Sequence, residues 1–190
     1  MCIRDSLGTE FQWAERPVWV LELNGVLITD FPNNKAHLWT EKDRLQLFLL
    51  PSGITNHAPN SINKGANGLT LDSTSNLIFC QHGNRDVSKL KSWSFDSPDY
   101  EVLVDHFQGK LLNSPNNLDY NKDGVLFFTD PPYGLKDQDQ DSIKELDFNG
   151  ITAAFIRDKS YFSIKTVLIL LSPISKLYFW QTSSLFCPTV

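Results

Sequence analysis

One stretch of this chain is written three times. Asn67-Gly68-Leu69-Thr70-Leu71-Asp72 runs, after a short gap, into Asn76-Leu77-Ile78-Phe79-Cys80. Asn116-Asn117-Leu118-Asp119-Tyr120-Asn121 runs in the same way into Gly124-Val125-Leu126-Phe127-Phe128-Thr129-Asp130. A looser copy reads Pro17-Val18-Trp19, then Gly25-Val26-Leu27-Ile28-Thr29-Asp30. The offset from Asn67 to Asn116 equals that from Cys80 to Thr129, about fifty residues, within the range of repeat architectures. Each copy sets two short β-rich runs around a Gly, Asn or Asp turn, which predicts a hairpin. Hairpins repeated at this spacing predict an all-β fold built as the blades of a β-propeller, with about three blades recognisable. In such a fold the starts of the inner strands surround one central channel, so polar residues at the repeat starts are the candidate site.

The pattern divides the chain into three parts: residues 1–10 as a non-repeat tail, 11–150 as the partial propeller, and 151–190 as a segment of different character. Asn24-Gly25 and Pro32-Asn33-Asn34 punctuate the first unit, Gly83-Asn84-Arg85 the second. Lys89 to Val104 is expected to supply two outer strands, and Lys136 to Asp147 a charged loop. A long helical period appears nowhere. Thirteen Phe, five Trp and five Tyr suit β-rich packing. The net charge of −5 and the lack of a Lys/Arg cluster argue against nucleic acid and anionic membranes as partners. Cys2, Cys80 and Cys187 stand far apart, which argues against a disulfide framework or a zinc knuckle and for a reducing compartment. With no secretory leader visible, the expected location is cytoplasmic.

Several ordered motifs resemble the gluconolactonase (SMP-30-like) family. Ala14-Glu15-Arg16-Pro17-Val18-Trp19 is similar to its Glu-Gly-Pro-Val-Trp opening. Ala66 to Asp72 with His82-Gly83-Asn84-Arg85 resembles its second blade, and Gly109 to Leu118, containing Asn113-Ser114-Pro115-Asn116-Asn117-Leu118, its third. Phe128-Thr129-Asp130-Pro131-Pro132-Tyr133-Gly134-Leu135 is similar to the run closing that blade. The resemblance covers roughly residues 10–150, the N-terminal half of the family's pattern. It implies a six-bladed propeller, a divalent metal ion (calcium or zinc) in the channel, and hydrolysis of sugar lactones.

Carried over residue by residue, the resemblance makes Glu15 and Asn116 metal ligands. An acid just before a buried strand needs a compensating partner, and a side-chain amide oxygen suits a hard cation. The alternatives are a solvated loop Glu15 and an Asn116 that caps its own turn. Asn67 holds the equivalent place in the preceding repeat, and His82 and Tyr133 lie at strand ends that rim the channel; these three are the expected substrate-binding residues, with structural roles as the alternative. The catalytic base is not assigned. Asp30 and Asp130, each closing a Thr-Asp strand, are expected to make blade-linking hydrogen bonds.

Three departures matter. Arg16 stands where the family has Gly, Asn117 where it has Asp, and the family's later ligand motifs are not found. The tail reads Thr166-Val167-Leu168, then Leu171-Ser172-Pro173, then Leu177-Tyr178-Phe179-Trp180-Gln181-Thr182. Codons for the family's Asn-Gly-Ile and Val-Ala-Asn, read one base late, can give Thr-Val-Leu and Trp-Gln-Thr, whereas Leu171-Ser172-Pro173 does not follow from that shift; a frameshift after about residue 150 is one expectation and a divergent tail the other. A metal-dependent lactonase, inactive if the missing ligands are essential, therefore stands beside a non-catalytic propeller fragment or binding module. A lyase on a related scaffold is the third reading.

Overall fold

Three stretches of chain each fold back on themselves into a four-stranded antiparallel meander, as the computed structural model shows. It describes residues 6–54, 65–92, 97–155 and 164–167, the last by backbone alone. The first sheet holds β1 (Ala14–Val20), β2 (Gly25–Asp30), β3 (Lys35–Thr40) and β4 (Arg44–Leu49) in that order. The second holds β5 (Ala66–Leu71), β6 (Leu77–Gln81), β7 (Asp86–Leu90) and β8 (Tyr100–Val104). A small hairpin, β9 (His106–Phe107) with β10 (Lys110–Leu111), precedes the third. That third sheet holds β11 (Leu118–Tyr120), β12 (Val125–Asp130), β13 (Gly150–Phe155) and β14 (Ile164–Val167). These are the blades of a β-propeller, an all-β fold, and the helical segments among the described residues are single 3-10 turns.

The hairpin turns are written in the sequence. In the second and third units a side chain at the same place in the repeat closes the turn. Asp72 Oδ1 accepts the N–H groups of Thr74 (2.8 Å) and Asn76 (2.9 Å), and Asn121 Oδ1 those of Asp123 (3.0 Å) and Val125 (2.8 Å). The first unit turns instead through Leu21–Leu23 with Asn24 in the left-handed region, φ 47. Asparagine tolerates that conformation because its short polar side chain bonds locally.

The strand β6 is buried along its whole length, and alternation explains where its side chains go. Leu77 and Phe79 join the core between the first and second sheets, with Val20, Leu27, Phe48 and Leu69. Ile78 and Cys80 join the core between the second and third, with Leu112, Leu118, Leu126 and Phe128. A sheet held between two others has no wet face, so the run Leu77-Ile78-Phe79-Cys80 is continuously apolar rather than alternating. The far face of the first sheet carries the cross-strand row Trp19, Val26, Trp39 and Leu45, with Trp19 half exposed.

The repeated acids act inside a sheet rather than between sheets. Asp30 accepts the N–H groups of Trp13 (3.1 Å) and Gln12 (3.3 Å), and Asp130 those of Asn113 and Ser114 (both 2.8 Å). Each carboxylate thus fastens the segment leading into its own sheet's innermost strand. In the middle unit Gln81 does the same work with an amide, because its partner is the Ser52 carbonyl (3.1 Å) and calls for a donor. Burial pushes Asp130 up to about 7, against the pull of its two N–H donors and of Arg85.

The third sheet continues past residue 150. β13 pairs with β12 over the full register from Val125↔Phe155 to Asp130↔Gly150, and β14 pairs with β13. Its last described strands therefore lie in the segment that the sequence pattern sets apart. Residues 168–190, with Leu168 of the first tail run, Leu171-Ser172-Pro173 and the run from Leu177 to Thr182, lie outside the described residues, as do Cys2 and Cys187. Cys80 is a free, buried thiol, pushed up by that burial. No helix among the described residues is long and apolar enough to cross a membrane.

The second and third sheets meet most closely at Gly68. Its N–H donates to the Asn116 carbonyl at 2.7 Å, and a Cβ there would lie 2.5 Å from that oxygen. Gly68→Ala is expected to cost roughly 1–3 kcal/mol from forced backbone displacement, read as a lower midpoint in urea unfolding. An unchanged midpoint would show that this junction is loosely held.

Candidate functional site

The starts of three inner strands are tied together by a threonine hydroxyl and a backbone N–H, each bonded to a main-chain carbonyl. Thr29, fully buried at the end of β2, donates its hydroxyl to the Asn67 carbonyl (2.6 Å) and lies 3.1 Å from the Glu15 carbonyl. Gly68, the next residue after Asn67, then bonds the Asn116 carbonyl. Glu15, Asn67 and Asn116 therefore stand in one connected line across the three blades, each at the same place in its repeat.

Around that line the side chains differ in exposure. Glu15 is half-buried in β1, and its Oε1 accepts the indole N–H of Trp13 at 2.8 Å. Asn67 is buried at the start of β5. Asn116 is half-buried just before β11, its amide nitrogen 3.3 Å from His82 Nε2. With the amide as donor, the ring carries its proton on Nδ1. Asn116 Oδ1 is then turned away from the ring and accepts nothing among the described residues.

His82 is 1% exposed and packs beside the Phe31 ring, 5.8 Å between centroids. Its Nδ1 is buried with no protein partner among the described residues. Burial alone lowers its pKa to about 4, so the ring is neutral at pH 7. Gly134 lets the loop after β12 close against it, since a Cβ at that position would lie 3.1 Å from His82 Cβ and 2.7 Å from Ser114 Cβ. Ser114 Oγ secures the loop, donating to the Pro131 carbonyl (2.6 Å) and accepting the Gly134 N–H (2.8 Å). Tyr133, the residue before Gly134 on that loop, is 52% exposed.

The structure thus joins Asn116 to His82 directly and Glu15 to Asn67 through Thr29. Thr29 is a residue the sequence reading passed over. Its signal was present, because Thr29 and Thr129 both precede the repeated Asp. Arg16, the residue standing where the resemblance has Gly, also joins two blades: its guanidinium Nη2 donates to the Leu118 carbonyl, across from the first blade to the third.

Among the described residues no three His, Cys, Asp or Glu side chains stand together as a metal cluster. The donors at hand are oxygens: the Glu15 carboxylate and the unused Asn116 Oδ1. Such a set fits a hard cation, which accepts neutral oxygens and water, rather than zinc, which favours imidazole and thiolate.

Sequence and fold comparisons bear on the chain as a whole rather than on these residues. A curated gluconolactonase of Zymomonas mobilis subsp. mobilis is 35% identical over 149 residues, 77% of this chain and 41% of that protein. No family model matches the chain. A solved gluconolactonase of Xanthomonas campestris superposes with a TM-score of 0.63 at 26% identity, covering 78% of this chain and 46% of its own. Virginiamycin B lyase of Staphylococcus aureus, at 14% identity and a TM-score of 0.50 over 84% of this chain and 42% of its own, shares the fold alone. The chain spans less than half the length of these relatives.

Protonating His82 must break its neutral, buried setting. Its folded pKa lies below the ordinary 6.5, so the native state loses stability as pH falls from about 6.5 towards 4, by about 3 kcal/mol in all. NMR titration of the His82 ring is expected to show it neutral at pH 5.5; a midpoint near 6.5 would place the ring in water instead. With repeat motifs, blade architecture and relatives in accord, the chain is a homologue of part of the gluconolactonases, matched over 77% of its own length.

Proposed function

We propose that this chain is part of a metal-dependent hydrolase of sugar lactones. The observation that carries the reading is the line of Glu15, Asn67 and Asn116 at three inner-strand starts, held in register by Thr29 and Gly68. The curated and solved relatives named as gluconolactonases support the same substrate class.

In this reading Glu15 and Asn116 hold a divalent cation, calcium in preference to zinc because both donors are oxygens. A cation there supplies Lewis-acid polarisation of a lactone carbonyl. The neutral His82 ring holds the Asn116 amide by its nitrogen and so keeps Oδ1 available. Asn67, with both a donor and an acceptor on its amide, suits a sugar hydroxyl. Tyr133 is placed to cover a ligand from the solvent side of the rim. Hydrolysis adds water across the ring ester: the water oxygen bonds to the carbonyl carbon, the ring C–O bond breaks, and the freed oxygen takes a proton. Glu15 cannot be both a committed ligand and an efficient base, so the group that removes the proton from water is a residue other than Glu15. A reducing, cytoplasmic setting accompanies this reading through the free thiol of Cys80.

Thermal unfolding in EDTA and in calcium, alongside proton release from a gluconic acid lactone, tests the proposal. Calcium is expected to raise the midpoint, by an amount equivalent to about 2.7 kcal/mol at a hundredfold excess over Kd. Glu15→Gln is expected to remove that gain, and EDTA to abolish lactone turnover. No stabilisation by any divalent cation would sink the metal-dependent reading. Calcium binding without turnover would make the chain a non-catalytic binding module.

A further inference from the structure

Arg16 follows Glu15 directly and sits in the β-bulge between the Glu15 and Val18 pairs of β1. Its φ of 43 is left-handed, a conformation that costs a residue with a side chain and costs glycine little. A compensating interaction is therefore required, and the side chain makes one. Its Nη2 donates to the carbonyl of Leu118, two residues beyond Asn116. The half-buried guanidinium thus lies between the first-blade segment that carries Glu15 and the third-blade segment that carries Asn116. Its positive charge also acts on the Cys80 thiol of the second sheet, so it stands within range of all three blades. Nε is buried with no partner among the described residues, so the group is held for its position and charge more than for a filled hydrogen-bond set.

We infer that Arg16 is a built-in cation at the junction of the inner-strand starts, and that it sets the divalent-cation affinity of the Glu15–Asn116 oxygen pair by holding it low. This rests on the ligand roles proposed above. Two physical effects act in the same direction. A fixed positive charge on the residue that follows Glu15, held at the third-blade segment, repels a dication, with little screening at a half-buried site. The Leu118 carbonyl, a further hard oxygen next to the third-blade ligand, is already committed to the guanidinium. The chain therefore has an internal substitute for part of what a metal supplies, namely a positive link between blades one and three. That link does not depend on metal supply.

Isothermal titration with calcium chloride, on the chain and on three Arg16 variants, tests this. Arg16→Gly removes both charge and backbone strain, Arg16→Met removes the charge and keeps an apolar stem, and Arg16→Lys keeps the charge. Arg16→Gly and Arg16→Met are expected to bind calcium about tenfold more tightly than the parent chain, or better, and Arg16→Lys to stay near the parent. Calcium affinities that are equal in all four, yet lost in Glu15→Gln, would overturn the role of Arg16 and leave the ligand assignment standing. Absence of calcium binding in every one of them, including Arg16→Gly, would overturn both. A lower metal-free unfolding midpoint in Arg16→Gly and Arg16→Met, with unchanged affinity, would make Arg16 a structural link only and so also overturn the inference. Arg16→Met meets the case in which Arg16→Gly fails to fold.

Discussion

The arrangement depends on how closely three strand starts can approach one another. At that junction backbone meets backbone. The Thr29 hydroxyl ties the first blade to the Asn67 carbonyl, and the Gly68 amide reaches the Asn116 carbonyl with no space for a Cβ between them. Buried polar groups of the main chain must find partners, and here they find them in the neighbouring blade. The same bonds that satisfy the backbone bring Glu15, Asn67 and Asn116 into line. The site is a by-product of how the blades are sutured.

Behind the junction, the blades are held apart and together by apolar side chains. Strand β6 shows how: its odd and even residues feed two different cores, one on each side of the second sheet. Asp30, Gln81 and Asp130 then lock the segments that deliver each inner strand. The carboxylates accept from N–H groups and the amide donates to a carbonyl, so residue type follows from what the approaching chain presents. The acids that repeat most visibly are therefore fasteners of the fold, and the proposed chemistry is assigned to less conspicuous residues at the blade starts.

Charge at the junction is arranged economically. One acid, Glu15, is followed by one guanidinium, Arg16, while His82 is kept neutral by burial. A neutral imidazole beside Asn116 orients an amide without adding to the field. Arg16 has the opposite character, since it brings a full charge into the space between two segments that would hold a metal. A left-handed arginine in a bulge is costly enough that its reach to Leu118 must return something to stability.

Much of this was legible in residue order. The period of about fifty residues, the Asn and Asp turns, and the continuous apolar runs express local rules, and local rules act over a few residues wherever the chain goes. They specify hairpins, their spacing, and the residues at the blade starts. Long-range geometry lies beyond them. That Asp30 and Asp130 fasten their own sheets, that the third sheet takes in Gly150–Phe155, that His82 turns to Asn116 while Tyr133 is half exposed, and that Arg16 crosses to Leu118 depend on the distances between blades. Those distances are set by packing volume and by backbone bonds between residues far apart in sequence. The sequence by itself determined a propeller of repeated hairpins with oxygen donors at the starts of its inner strands. The tertiary structure decided which of those donors meet, and which charge stands between them, because contact in space is fixed only when all the blades pack at once.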